Sequence, residues 1–209
     1  MTDNTPQTNR MPAEDRRRQL IETALDVFAR KGFEGTTTKE IATAAGVTEA
    51  VIFRHFPSKH ALYMAVLDFK AQSHELQEWM TATRGLMERN DDAGLFRMIV
   101  TSILRDYRSD PRYERVKLFA ALEGHEVGLA HYRQFAFPIA QVLVDYISRR
   151  QQEGAIRDYH PAAILAAVVG MAQNYAQLTQ MFGFSCEGLT DEQIIEDFTA
   201  ILMNGIQKT

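Results

Sequence analysis

Apolar residues in this chain of 209 residues recur at the three- and four-residue spacing of α-helices, and no segment alternates as a half-buried β-strand does. The first apolar stripe lies between Glu14 and Gly32. Further stripes predict helices over about 58–82, 92–108, 110–123, 131–152, 161–182 and 190–207. The pattern also predicts loops at 84–92 and 183–188, and it leaves 124–130 uncertain, with a broken helix as one reading. The sequence therefore predicts an all-α fold.

The segment from residue 36 to residue 59 contains two helix starts and two helix stops. Thr37 and Glu40 have the spacing of a capping box, which begins a helix. Gly46 can adopt the left-handed conformation that ends this helix. Thr48 then offers a second N-cap oxygen, and Pro57 cannot continue the helix that follows. Two short helices joined by a tight turn with a glycine are typical of a DNA-binding helix-turn-helix.

The second short helix has an inner and an outer side. Ile52 and Phe56 stand four positions apart and should anchor it to the core. The residues outside this line can face DNA: Thr48, Glu49, Ala50, Val51, Arg54 and His55. Val51 could contact a thymine methyl group, and Arg54 a guanine edge or a phosphate. We expect His55 and Lys59 to contact DNA phosphates. The N-termini of the two short helices, at Thr37, Thr38 and Lys39 and at Thr48, should also bind phosphates through their free N–H groups.

These residues belong to a longer signature, which resembles the DNA-binding domain of the tetracycline-repressor-like (TetR) family of bacterial transcription regulators. The matching positions are Ile21, Ala24, Phe28, Gly32, Phe33, Thr37, Thr38, Ile41, Ala42, Ala45, Gly46, Val47, Thr48, Phe53, His55, Phe56, Pro57, Ser58, Lys59 and Leu62. The resemblance implies a homodimeric, ligand-responsive regulator, usually a repressor, that binds a palindromic double-stranded DNA operator. It also implies that a common set of positions touches DNA: Thr38, Glu49, Ala50, Val51, Phe53, Arg54, His55 and Lys59.

Two positions depart from the family pattern. Position 53 is usually Tyr, whose hydroxyl can reach a phosphate, whereas Phe53 has no hydroxyl. Glu49 stands where a basic or small residue is common. Its carboxylate either accepts a hydrogen bond from cytosine or favours the helix N-terminus electrostatically, and we prefer the second interpretation.

The C-terminal helices carry aromatic residues that should surround a common interior, together with a few polar ones. The predicted ligand-binding residues are Trp79, Phe96, Tyr107, Phe119, Glu123, His131, Phe135, Asn174 and Tyr175. As a set they are compatible with an apolar pocket for a small hydrophobic or aromatic effector, although a filled aromatic core is the alternative. The last two helices, at about 161–182 and 190–207, have apolar residues on more than one face. We therefore expect them to form a four-helix bundle with the same pair of a second subunit.

The predicted domain organisation is a disordered tail at 1–13, a helix-turn-helix DNA-binding domain at 14–74 with its motif at 37–56, and a ligand-sensing and dimerisation domain at 75–209. Net charge is unevenly divided, with +1 on residues 1–60 and −5 on the rest of the total of −4, which fits either a basic face on the N-terminal part or an ordinary scatter of charge. Arg16, Arg17 and Arg18 oppose the helix dipole at the start of the first helix, which fits either a polyanion partner or a solvated run of charge.

Enzyme chemistry finds little support in the sequence. His125-Glu126 begins an H-E-x-x-H pattern, but Leu129 stands where the second histidine is needed. Ser185 lies near two glycines without forming G-x-S-x-G. We predict no catalysis, cofactor or metal. The single Cys186, the polar N-terminus and the absence of an apolar run long enough to span a membrane predict a cytoplasmic protein.

The sequence thus predicts a DNA-binding transcription regulator, specifically a repressor that a small molecule releases from its operator. The alternative is a DNA-binding regulator without a small-molecule effector, which a protein partner controls or which has an architectural role. It would share residues 14–74 but have a filled core in place of a pocket.

Overall fold

The computed structural model describes residues 11–71, 73–124, 126–184 and 188–207, and within them the predicted all-α fold is confirmed. The helices are α1 (Ala13–Lys31), α2 (Thr38–Ala44), α3 (Glu49–His55), α4 (Lys59–Ala71), α5 (His74–Glu88), α6 (Asp92–Ser109), α7 (Pro111–Leu122), α8 (Glu126–His131), α9 (Phe137–Gln152), α10 (Pro161–Gln180) and α11 (Asp191–Ile206). A π-helical turn, Tyr132–Ala136, joins α8 to α9. Most of the predicted tail, and the predictions made at His125, Ser185 and Cys186, lie outside the described residues.

The local signals around the helix-turn-helix act as predicted, with one exception. The hydroxyl of Thr37 accepts from the backbone N–H of Glu40, whose carboxylate accepts in return from the Thr37 N–H. Gly46 has φ of 66°, which is the left-handed conformation expected at the end of α2. Thr48 occupies the N-cap position of α3, but its side chain accepts no hydrogen bond there. The prediction of a Thr48 cap oxygen is therefore wrong.

The predicted single helix from Ser58 to about Ala82 is also wrong, because the chain breaks between α4 and α5. Ser73 has extended backbone angles, and its hydroxyl accepts from the Leu76 N–H at 3.3 Å, which caps α5. Phe69 and Leu76, on either side of this break, are seven residues apart and keep the helical spacing, so periodicity alone does not reveal it. The predicted loop at 84–92 is shorter than expected, because α5 runs on to Glu88.

Two clusters of buried apolar side chains form the interior. One lies among α1 to α4 and includes Val116 and Ala120 of α7. The other lies among α6, α9, α10 and α11. Polar contacts reinforce the packing of α7 on α1: Arg112 forms an ion pair with Asp26 at 2.6 Å, and Arg115 Nε donates to the carbonyl oxygen of Ala29 at 2.8 Å. Helix α7 is therefore fixed to α1 as part of the first cluster.

Candidate nucleic-acid interface and ligand cavity

Helix α3 is short, and its position depends on two buried side chains. Ile52 is 0% exposed and Phe56 is 2% exposed, which confirms them as anchors. The opposite side of α3 is open to solvent. It presents Ala50, Val51, Phe53, Arg54 and His55, of which Phe53 is 49% exposed. This face combines short side chains with basic ones, as a helix that enters a major groove requires.

Glu49, at the first position of α3, is bonded to the preceding helix. The Thr38 hydroxyl donates to Glu49 Oε1 at 2.6 Å. The contact joins α2 to α3 across the turn, and it occupies one oxygen that the cytosine interpretation would need. Thr38 and Glu49 therefore help to set the angle between the two helices.

Lys59 is turned inward in this structure. Its Nζ atom donates to the carbonyl oxygens of Phe33 and Thr36, at 2.8 and 2.9 Å, and lies 4.1 Å from the centre of the Phe33 ring. These carbonyls belong to the turn between α1 and α2, which needs donors because the helical bonds end there. The structure places Lys59 in this turn rather than on the exposed face of α3.

The N-terminus of α2 is occupied by its own capping box. The Thr37 N–H donates to the Glu40 carboxylate, which also pairs with Lys31 at 2.5 Å. The Lys31 ammonium and the Thr37 N–H lower the pKa of Glu40 to about 2. The Glu40 carboxylate therefore keeps its negative charge beside Thr37. Of the residues predicted to contact phosphates at this helix start, Lys39 is the cation, and its side chain is exposed.

A groove of about 600 Å³ separates the start of α1 from α3. It is lined by Met11, Pro12, Ala13, Arg16, Val47, Val51, Arg54 and His55. Beside it, the Arg17 guanidinium lies 5.0 Å from the centre of the Phe56 ring. Arg16 therefore lies beside the exposed face of α3, and Arg17 lies over the anchor Phe56, although the sequence left the role of these arginines open.

A second cavity, of about 540 Å³, lies among the C-terminal helices and α7. Of the predicted ligand-binding residues, Trp79, His131 and Phe135 line it. Apolar side chains of α6, α9 and α10 complete most of the wall: Ile99, Ile103, Ile139, Ala140, Leu143, Leu165 and Val169. Trp79 Nε1 is the only buried side-chain nitrogen or oxygen without a hydrogen bond in the part of the chain that the structure describes.

The other predicted ligand-binding residues lie away from this cavity. Phe96 and Tyr107 are buried in the second apolar cluster, and Gln177 donates to the Tyr107 hydroxyl at 3.1 Å. Asn174 is exposed on α10, and Tyr175 packs edge-on against Phe198 of α11. These residues lie on helices that contribute to the cavity wall, but their side chains are on other faces of those helices.

Phe119 and Glu123 lie at the turn after α1. The Glu123 carboxylate accepts from the backbone N–H groups of Phe33 and Glu34, at 3.1 and 3.2 Å. A Cβ atom on Gly32 would lie 2.2 Å from Glu123 Oε1 and 2.9 Å from the Phe119 ring. Both residues were predicted to bind the effector, because helical periodicity does not show which neighbour a helix face meets.

Helix α7 supplies cavity residues that the sequence analysis missed. Tyr113, Glu114 and Lys117 line the cavity, whereas Val116 and Ala120 pack into the first apolar cluster. Glu114 is buried and pairs with Lys117 at 2.6 Å. Tyr113 and Lys117 are one helical turn apart, and this spacing in the sequence indicates that they share one face of α7.

Within the described residues there is no group of three or more His, Cys, Asp or Glu side chains that could hold a metal ion. None of the described helices is both long enough and apolar enough to cross a membrane.

Comparison with known proteins agrees with this architecture. Residues 20–66 match the family model described as bacterial regulatory proteins, tetR family. An uncharacterised helix-turn-helix transcriptional regulator of Bacillus subtilis, YvkB, is 25% identical over 193 residues, covering 90% of this chain and 96% of that protein. Such relatives are named as regulators and not as enzymes.

Solved structures share the fold. A TetR-family regulator of Marinobacter aquaeolei has a TM-score of 0.69 at 18% identity and covers 94% of this chain and 97% of its own. The structure of AibR with isovaleryl coenzyme A and operator DNA has a TM-score of 0.64 at 24% identity, covering 90% and 98%. With the matched residues on α1 to α4 and the α2–α3 motif in place, residues 20–66 form a helix-turn-helix domain of the TetR family of bacterial regulatory proteins.

Proposed function

We propose that this protein is a homodimeric repressor that a small apolar or aromatic effector releases from a palindromic operator. The observation that carries the proposal is the presence, on one chain, of an exposed basic face on α3 and a largely apolar cavity of about 540 Å³. The cavity also weighs against the alternative of a regulator without an effector, because that alternative requires a filled interior.

In the proposed complex, α3 lies in the major groove. Ala50 and Val51 allow close approach and Arg54 reads a guanine edge or a phosphate, while Phe53 adds apolar contact. Arg16 supports the same face from the start of α1, since it lines one groove with Arg54. Lys59 and Thr37 have intramolecular partners, so they contribute to DNA binding by shaping the turn between α1 and α2.

The proposed dimer forms through α10 and α11. Small or apolar side chains lie exposed along both helices: Ala162, Ala163, Ala166, Ala167, Gly170, Leu178, Ala200, Ile201 and Gly205. Small residues allow helices of two subunits to approach closely, and Ile201 is 59% exposed in the single chain. Pairing these faces would give the four-helix bundle that the sequence predicts.

For an effector to release the protein from DNA, a change at the cavity must alter the position of α3. Helix α7 offers it, because one face lines the cavity and the other packs on α1. A dimer must hold its two α3 helices about 34–36 Å apart to read successive major grooves. An effector that binds better to a different spacing would lower operator affinity by that difference.

Selection from a random duplex library with the full-length protein tests DNA recognition. We expect a palindromic duplex, whose affinity falls steeply with salt because phosphates are neutralised. Arg54→Ala should weaken binding by about tenfold or more. The matched control, Arg84→Ala, replaces an exposed arginine of α5 and should bind like wild type. No enriched sequence, or an Arg54→Ala protein that binds normally, would contradict the groove assignment.

A further inference from the structure

Side chains from three helices meet where the cavity wall contacts α4. The Tyr113 hydroxyl donates to the carbonyl oxygen of Leu67 at 2.9 Å. The same hydroxyl lies 3.2 Å from His131 Nε2, and His131 Nδ1 lies 3.3 Å from Asp68 Oδ1. Tyr113 and His131 line the cavity, whereas Leu67 and Asp68 belong to the C-terminal end of α4. The wall of the cavity is thus hydrogen-bonded directly to the DNA-binding part of the chain.

This network has fewer protons than acceptors when His131 is neutral. Tyr113 has one hydroxyl proton, which it can give to the Leu67 carbonyl or to His131 Nε2. A neutral imidazole has one ring proton, and on Nδ1 that proton serves the Asp68 carboxylate. Two protons therefore face three acceptors. Only a charged imidazolium or a donor from outside supplies the third.

The neutral form of His131 is favoured by its surroundings. Burial lowers the pKa of His131, against the Asp68 carboxylate, which raises it, and the Lys117 ammonium lowers it further. His131 is 5% exposed, so water has little access to its ring. A hydrogen-bond donor in the cavity that reaches His131 Nε2 would supply the third proton.

We propose that the effector has an apolar or aromatic body with a neutral hydrogen-bond donor, a hydroxyl or an amide N–H, and that this donor binds His131 Nε2. The inference rests on the proposed function, in which this cavity is the effector site. With an effector donor on Nε2, the Tyr113 proton stays with the Leu67 carbonyl and the Nδ1 proton stays with Asp68. Binding therefore fastens the C-terminal end of α4 to α7 and α8.

The charges around His131 favour a neutral group over an anion. Lys117 is neutralised by Glu114 at 2.6 Å, and it is the cation that lies over the Tyr113 ring, at 5.2 Å from its centre. The Asp68 carboxylate on the far side of the imidazole would repel a second carboxylate. Arg105, the other cation of the described lining, lies 3.9 Å from the Asp106 carboxylate, so each of these two cations already has an acidic neighbour.

Three probes with one apolar body separate the possible head groups. Biphenyl-4-ol carries a donor, 4-methoxybiphenyl only an acceptor, and biphenyl-4-carboxylate an anion. Isothermal titration of the full-length protein measures their affinities, and Trp79, the only tryptophan, reports occupancy of the cavity by fluorescence. We expect biphenyl-4-ol to bind at least tenfold more tightly than the other two. Equal affinities, or tightest binding of the carboxylate, would overturn this inference and leave the effector cavity standing. Failure of all three to bind would contradict the effector cavity itself.

Two variants test the assigned atoms. His131→Leu removes the acceptor, so it should abolish the preference for biphenyl-4-ol over 4-methoxybiphenyl. Tyr113→Phe frees Nε2 from its present neighbour, so it should keep or increase that preference. Tyr159→Phe, at an exposed tyrosine that does not line the cavity, is the control and should leave the preference for biphenyl-4-ol unchanged. Loss of the preference in a folded Tyr113→Phe protein would overturn the proposal, even if His131→Leu does not fold.

Discussion

Thr38 donates its hydroxyl proton to Glu49 at 2.6 Å, and this bond links the first residue of α2 to the first residue of α3. The carboxylate lies beside residues proposed to meet DNA, where a negative charge would repel phosphates. We therefore expect Glu49 to hold the two helices in register and to weaken binding to any DNA. This explains how a glutamate can occupy a position where a basic or small residue is common.

Glu49→Gln separates these two effects. The amide oxygen can still accept from Thr38, but the negative charge is gone. We expect the variant to bind both the selected duplex and a random duplex several-fold more tightly at low salt, with the gain shrinking as salt screens the charge. Fluorescence anisotropy at two salt concentrations measures this. Glu49→Ala is the comparison, since it removes the charge and the bond together. A Glu49→Gln protein with weaker binding would indicate that the carboxylate reads a base.

Gly32→Ala tests the junction between α1 and α7. Gly32 has φ of 70°, and an added Cβ atom would collide with Glu123 and Phe119. We expect a loss of about 2–4 kcal/mol in the free energy of unfolding, because backbone strain and a steric clash add together. Gly154→Ala is the matched control, with φ of 77° and nothing within 4 Å of the added atom, so it should lose only about 1 kcal/mol. Urea unfolding distinguishes the two, and equal losses would show that Glu123 moves aside.

These results show what a sequence can and cannot predict in this fold. The capping box at Thr37 and the stop at Gly46 are predictable because local hydrogen bonds and backbone conformation determine them. The break before Ser73 is not, because Phe69 and Leu76 keep the helical spacing on either side of it. The contacts of Phe119 and Glu123 depend on how α7 packs against α1. Helical spacing does not predict them, because it identifies a helix face without identifying the element that packs on it. The DNA-facing residues were therefore easier to propose than those of the cavity.

Arg150→Met tests a buried ion pair that joins α9 to the start of α6. Arg150 donates to both carboxylate oxygens of Asp92, which is 9% exposed and also accepts from the Tyr146 hydroxyl. Removing the arginine leaves a buried carboxylate without its counter-ion, and we expect a loss of about 3–5 kcal/mol in the free energy of unfolding. Arg149→Met, at the neighbouring exposed arginine, should lose about 1 kcal/mol or less. Thermal or urea unfolding of both variants makes the comparison, and a small loss for Arg150→Met would show that Tyr146 alone satisfies Asp92.

Ile201→Asp tests the proposed dimer face on α11. Ile201 is 59% exposed in the single chain, on the same side as Ala200 and Gly205. A carboxylate there would be buried against its counterpart in a twofold dimer, so we expect a monomer by sedimentation velocity at concentrations where wild type is a dimer. Leu122→Asp is the control, because Leu122 is 83% exposed on α7, away from α10 and α11, and should leave the dimer intact. Because operator binding needs two α3 helices at a fixed spacing, the Ile201→Asp monomer should also lose affinity for the full palindrome while it keeps weak binding to a half-site. A dimeric Ile201→Asp protein, or a monomer with unchanged operator affinity, would show that the dimer forms through another surface.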